Sequence, residues 1–100
     1  KSKSSAVFCG NDLIALGFMG GLIEAGIKIP EDISVITLHN STLTEFLSPP
    51  LTSVRLPAEE MGKVSAEKLI DMLSGKKVKH FIVDGKPSLV LRGSTARFES

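Results

Sequence analysis

What this chain lacks narrows its chemistry before any motif is considered. It has no tryptophan, no tyrosine and a single cysteine, Cys9, so no disulfide can form within it. Cys9 lies in an apolar run, where a lone thiol behaves as a small hydrophobe, and this usage suits a reducing cytoplasm. No apolar run approaches the roughly 18 residues of a membrane-spanning helix. The opening tract Lys1-Ser2-Lys3-Ser4-Ser5 has no signal-peptide apolar region behind it. It also has no initiator methionine and runs directly into an apolar strand, which predicts a piece of something longer. Twelve basic against eleven acidic residues leave a net charge of +1, no electrostatic footprint for nucleic acid or an anionic membrane. These residues are therefore expected neither to bind DNA by themselves nor to associate with a membrane.

Catalytic and metal signatures are missing as well. Cys9, His39 and His80 have no metal-ligand spacing. A P-loop, a nucleophile elbow and a dinucleotide glycine fingerprint are absent, and the glycines of GFMGG fall inside a helical pattern rather than at a strand-to-helix turn. No serine has a local frame suited to a Ser/His/Asp set. The expectation is a protein that is not an enzyme, with no catalytic residue, no metal and no cofactor.

What is present is ordinary globular composition, 42% hydrophobic and 23% charged over 100 residues, enough for one small domain. The organising stretch is FCGNDLIALGFMGGLIEAG, residues 8–26. An apolar strand over residues 6–9 ends at Gly10-Asn11-Asp12, and a helix is predicted over residues 13–25, closed by a left-handed Gly26. In an open α/β sheet, ligands bind outside the carboxyl ends of the strands, which is where Asn11 and Asp12 fall. Asp12, directly before Leu13, reads as the helix N-cap. Asn11 is not needed for the same cap, which makes it a candidate ligand contact; on the residues alone, structural punctuation and ligand contact both stand.

Gly17, Gly20 and Gly21 each cost roughly 1 kcal/mol against alanine inside a helix, so close backbone approach by a sheet or a second helix is expected to compensate. Leu16, Gly20 and Ile23 form one apolar stripe, and Ile14, Phe18, Leu22 and Ala25 another, which predicts burial on two sides, against its own sheet and against a partner. Ile33-Ser34-Val35-Ile36-Thr37-Leu38 is nearly continuous and predicts a parallel strand covered on both faces. That strand ends at His39-Asn40. If the two strands are neighbours, Asn11 and His39 line one crevice.

Thr42-Leu43-Thr44-Glu45 reads as a capping box opening a short turn through Phe46 and Leu47, and Pro50 ends it. Residues 51–55 are extended. A second long helix begins after Pro57, with Glu59 and Glu60 in its first turn, Gly75 as its cap, and Met61, Val64 or Ser65, Leu69, Met72 and Leu73 as the expected buried stripe. Extended segments at residues 81–83 and 88–92 flank a turn at Asp84-Gly85-Lys86-Pro87.

In that order, AVFCGNDLIALG, EAGIKIPEDISVI, SPPLTSVRLPAEEMG and LVLRGST resemble the C-terminal part of the effector-binding domain of lactose-repressor-type (LacI/GalR) bacterial transcription regulators. The likeness runs from about Ala6 to Thr95, and PPLTSVRLP is its most specific part. NDLIALG alone is weaker, because periplasmic sugar-binding receptors of transporters share something like it; those receptors normally lack the PPLT segment and form the runner-up reading.

The resemblance implies an α/β periplasmic-binding-protein-like (type I) fold of two lobes, a parallel sheet with flanking helices, and a sugar or nucleobase effector between the lobes. Residues 1–54 and 86–100 would belong to the C-terminal lobe and residues 58–80 to a helix and return of the N-terminal lobe. The DNA-binding headpiece would lie upstream, outside this chain. By the same analogy Asn11 and His39, with Asp12 and Asn40 beside them, contact the effector. Leu16, Gly20, Ile23, Phe46 and Leu47 resemble a homodimer interface, and the location implied is the cytoplasm.

Family members commonly carry Gly-aromatic-Asp-Asp or Gly-aromatic-Asp-Asn where this chain has Thr37-Leu38-His39-Asn40. A histidine can donate as well as accept, and is cationic when protonated. Three readings of this departure remain: an anionic effector such as a phosphorylated or acidic sugar, a site that has lost its ligand, or a histidine that simply faces water. The implied mechanism is a shift between lobe arrangements passed through a dimer to DNA-binding heads. With one wall of the cleft, these 100 residues are expected to bind effector weakly or not at all. Their sheet edges are expected to favour pairing with a second copy.

Overall fold

The computed structural model of the chain describes residues 4–98, so the outermost ends of the expected lobe, residues 1–3 and 99–100, lie outside the described residues. In chain order the elements are β1 (Ala6–Cys9), α1 (Asp12–Glu24), β2 (Ser34–Leu38), α2 (Leu43–Phe46), β3 (Thr52–Arg55), α3 (Ala58–Leu73) and β4 (Ser88–Val90). The strands form one sheet in the order β1-β2-β3-β4. β1, β2 and β3 run parallel, and β4 closes the edge antiparallel to β3. Two compact units result, one of the described residues up to Arg55 together with those from Ser88 onward, the other Leu56–Pro87.

In the first unit, register decides what is buried. Val7 pairs with Val35, Cys9 with Thr37 and Thr37 with Ser53, so these side chains share one face of the pleat. Ala15 and Met19 of α1 pack with Cys9, Ile29, Val35 and Leu51 to make the core, and Phe18 and Leu22 flank it. Burial pushes the Cys9 thiol above its usual pKa, which keeps it in the protonated, unreactive form. The opposite face carries Phe8, Ile36, Val54 and Leu89, and of these Phe8 is 61% and Leu89 56% exposed. Contrary to the expectation of two covered faces, β2 alternates, with Val35 and Thr37 buried and Ser34, Ile36 and Leu38 half-buried. The unit has one long helix, and one helix covers one face.

Of the two sides of α1 expected to be covered, the sheet side is packed within this chain. Its inner line is buried, whereas Leu13, Ile14, Leu16 and Ile23 are exposed. No backbone approaches Gly17, Gly20 or Gly21, where an added Cβ would meet nothing within 4 Å, so the expected compensation is not made within the described residues. Both long helices end as their glycines predict. Gly26 and Gly75 have φ of 77° and 87°, and the amides after them, of Ile27 and Lys76, reach back to the carbonyls of Leu22 and Asp71. These are Schellman closures, which satisfy carbonyls a helix end would leave open.

Thr42 corrects another expectation. It is helical, with φ −59° and ψ −26°, and its side chain caps nothing, because a capping side chain needs an extended backbone to reach the first-turn amides. Ser94 is fully buried; its hydroxyl accepts from the Thr52 amide at 2.8 Å and donates to the Val35 carbonyl, so it bridges β2 and β3 at the end where their pairing starts.

In the second unit, the Glu60 carboxylate in the first turn of α3 accepts from the amides of Asp84 (3.0 Å) and Gly85 (3.1 Å), which fastens the return segment to the helix. Lys68 Nζ lies 5.6 Å from the ring centre of Phe81, and Lys76 pairs with Asp71 at 3.7 Å. The stripe expected to be buried is open: Met61, Leu69, Met72 and Leu73 are all exposed and only Val64 is half-buried. This unit has no sheet of its own against which an apolar helix face could pack.

Candidate functional site

The candidate site follows from two strands that end at the same edge. Cys9 and Thr37 are paired in the parallel ladder, so the residues two beyond each, Asn11 and His39, emerge side by side at the carboxyl end of the sheet. A cavity of about 280 Å³ opens there, lined by Asn11, Asp12, Leu13, His39, Ser41 and Leu43. A larger hollow of about 580 Å³ lies among Ala6, Ser34 and Arg97, at the amino ends of β1 and β2. We place the candidate at the carboxyl edge, where open α/β sheets bind ligands.

Asn11, rather than Asp12, supplies the cap of α1: its backbone is extended, and its side-chain Oδ1 accepts from the Ile14 amide at 2.9 Å. Asp12 is the first helical residue and is buried, with Oδ1 accepting from Thr37 Oγ at 3.1 Å and Oδ2 from the Ser41 amide at 3.0 Å. Its carboxylate turns away from its own helix toward the next strand, whose hydroxyl and following loop offer it two donors in a buried setting. The reading of Asp12 as the cap is corrected accordingly.

His39 is exposed and has a φ of 79°, the left-handed region that L-residues enter at a cost and that clusters at functional sites. Its amide donates to the Val54 carbonyl at 3.0 Å, which ties the residue to β3 while the imidazole stays free at the cavity. Asn40 is half-buried and does not line the cavity; its Oδ1 accepts from Thr44 Oγ at 3.4 Å. Of the four residues singled out, the structure brings Asn11, Asp12 and His39 together and turns Asn40 toward α2.

Polarity decides what this wall can do. The Asn11 oxygen and both Asp12 oxygens are engaged within the protein, so the side-chain groups of the lining that make no hydrogen bond among the described residues are Asn11 Nδ2, the His39 ring and the Ser41 hydroxyl. Such a set can exchange hydrogen bonds with a bound molecule. Among the described residues no group of three or more His, Cys, Asp or Glu could hold a metal ion. No helix among the described residues is long and apolar enough to cross a membrane.

Several residues of the site carry no individual signal in the sequence. Thr37 could have been suspected as a polar residue within an apolar strand; Leu13, Ser41 and Leu43 could not. Of the surface expected to mediate dimerisation, Leu16, Gly20 and Ile23 lie on the exposed side of α1, Phe46 is 81% exposed, and Leu47 is packed against the core.

Comparison with known proteins joins this geometry to a family. The profile of the periplasmic binding protein-like domain matches residues 1–95. The HTH-type transcriptional repressor PurR of Vibrio parahaemolyticus is 37% identical over 97 residues, covering 97% of this chain and 29% of the repressor. The chain thus spans about 29% of the length of that relative. Among solved structures, the transcriptional regulator CelR in complex with cellobiose superposes with a TM-score of 0.77 at 34% identity, over 90% of this chain and 28% of CelR. The lac repressor dimer bound to operator and the anti-inducer ONPF gives a TM-score of 0.76 at 31% identity, over 91% of this chain and 32% of the repressor. All three are transcriptional regulators, neither transport receptors nor enzymes, and the runner-up reading loses its support. A sheet parallel through its first three strands, a strand-end cavity and a family profile that spans the chain agree: this protein belongs to the periplasmic binding protein-like domain family, in the form carried by the effector-binding domains of LacI/GalR-type regulators.

Proposed function

We propose that this chain is the effector-sensing and dimer-forming part of a cytoplasmic DNA-binding transcription regulator. The observation that carries the reading is the juxtaposition of Asn11 and His39 around one cavity at the carboxyl ends of two neighbouring parallel strands. The similarity to regulators that include an operator-bound dimer and a sugar complex supports it. Asn11, His39 and Ser41 are the direct contacts in this reading, and Asp12 and Asn40 hold the wall that carries them. Residues up to 54 and from 86 onward form one lobe, and residues 58–80 cross into the other. DNA is reached only through a domain outside these residues, in keeping with a net charge of +1.

The effector is a small, sugar-like molecule. Among the described residues the unbonded groups of the lining are donors or, at His39 and Ser41, can act as donors, so an acceptor-rich group such as a phosphate or carboxylate on the sugar suits this wall. Its action is a population shift: an effector that binds one lobe arrangement more tightly than the other moves the equilibrium by that difference and no more. The dimer that transmits the shift would use the exposed side of α1 at Leu16, Gly20 and Ile23 together with Phe46 and Leu47.

Selection of random-sequence duplex DNA on the natural polypeptide that contains this chain tests the reading. An enriched inverted repeat whose retention changes when glucose 6-phosphate or cellobiose is added is the expected result. Failure to enrich any sequence would contradict the regulator assignment.

A further inference from the structure

We propose that Arg92, acting through Thr44, is a positioning residue that sets the ligand-site loop of residues 39–41. The inference rests on the effector-site reading above and deepens it, since it identifies a control on the wall that holds His39.

Arg92 lies 48 residues from Thr44 in sequence, yet its Nη1 donates to Thr44 Oγ at 3.0 Å. The same nitrogen reaches the Leu51 carbonyl at 2.7 Å. Thr44 is fully buried, and its hydroxyl has one proton to give. Because a guanidinium can only donate, Thr44 must accept from it and direct its own proton elsewhere. The acceptors in reach are the Ser41 carbonyl at 2.7 Å and Asn40 Oδ1 at 3.4 Å, both in the loop. Ser41 is fixed from the other side by its amide bond to Asp12. The loop is therefore held between a donor-only cation and a carboxylate, with His39 in its left-handed conformation immediately before the held residues.

The backbone of Arg92 is anchored without its side chain, by its amide to Thr52 Oγ at 2.9 Å. Loss of the guanidinium therefore does not by itself release the end of β4. What it removes is the donor to Thr44 Oγ, together with the same nitrogen's bonds to the Leu51 carbonyl and to Ser53 Oγ at 3.3 Å. Without that donor Thr44 Oγ is no longer held from the Arg92 side, and its bond to the Ser41 carbonyl is left without its opposing anchor.

The test uses the natural polypeptide that contains this chain, labelled at histidine 13Cε1, with the His39 signal assigned by its loss in His39→Gln. Thr44→Val and Arg92→Met are each expected to move the His39 signal and to weaken glucose 6-phosphate binding about fivefold, the net value of one hydrogen bond. Thr44→Ser, which keeps the hydroxyl, is expected to restore both. Ser94→Ala serves as the control for simple loss of stability, since Ser94 is buried and its hydroxyl bonds the Thr52 amide and the Val35 carbonyl rather than Thr44 or the loop. A His39 signal that stays in place in Arg92→Met and Thr44→Val while Ser94→Ala lowers the melting temperature as much would overturn the proposal. If Thr44→Val does not fold, Arg92→Met gives the same reading, because its backbone anchor is intact. If the parent protein does not bind glucose 6-phosphate, that choice of effector fails, and the His39 signal still decides whether Arg92 positions the loop.

Discussion

Asp12 and His39 hold opposite kinds of value. Asp12 is buried and its two oxygens each have a donor, so its truncation strands the Thr37 hydroxyl and the Ser41 amide. Asp12→Ala is expected to cost about 2–4 kcal/mol of stability by urea denaturation, in the range for buried hydrogen bonds to a charged group. A cost under about 0.5 kcal/mol would show that the pair of bonds does not organise the edge. His39 instead stores strain. At a φ of 79° glycine is at ease and alanine is not, so His39→Gly is expected to be about 0.5–1 kcal/mol more stable than His39→Ala. The reverse order would mean that the loop does not hold this conformation. The sequence marked Asn11-Asp12 as the chemically active corner, yet it could not say which residue caps the helix. That choice is made by Thr37 and Ser41, 25 and 29 residues away, which offer the buried carboxylate its donors.

For whole elements, legibility depended on whether the determinant is local. Gly26 and Gly75 are readable because a left-handed residue after a helix is a local requirement, and both helices end there. The length of α1 and the start of α3 after Pro57 are readable for the same reason. Burial of the apolar stripes was not, because a periodic pattern shows that a face wants cover and not whether these residues contain the cover. Met61, Leu69, Met72 and Leu73 on α3, and Leu16 and Ile23 on α1, illustrate this. The hold of Glu60 on the return segment was also hidden in the sequence, since it depends on a close approach at Gly85. A Cβ there would press on Glu60 Oε1 and come within 2.7 Å of Pro57 Cβ. Gly85→Ala is therefore expected to break the amide bonds of residues 84 and 85 to Glu60, seen as roughly tenfold faster hydrogen exchange at those two amides. Unchanged exchange would contradict this account of the turn.

Across the whole molecule, the resemblance drawn from four ordered motifs and the family profile over residues 1–95 lead to the same place. The sheet has three parallel strands, of which the continuous run at residues 33–38 predicts one and the resemblance implies a parallel sheet, and an antiparallel edge strand that neither specifies. The central claim is that the carboxyl edge around Asn11 and His39 recognises a small effector through donors. Calorimetric titration of the natural polypeptide with glucose 6-phosphate and with cellobiose tests it most directly, with Asn11→Asp and His39→Gly as the variants. Asn11→Asp keeps the oxygen that caps α1 and replaces the two amide hydrogens with an acceptor, so it alters recognition with the cap in place. The account predicts that glucose 6-phosphate binds more tightly than cellobiose, and that each variant weakens it about tenfold or more. Equal affinity in parent and variants would contradict it, as would binding of neither sugar.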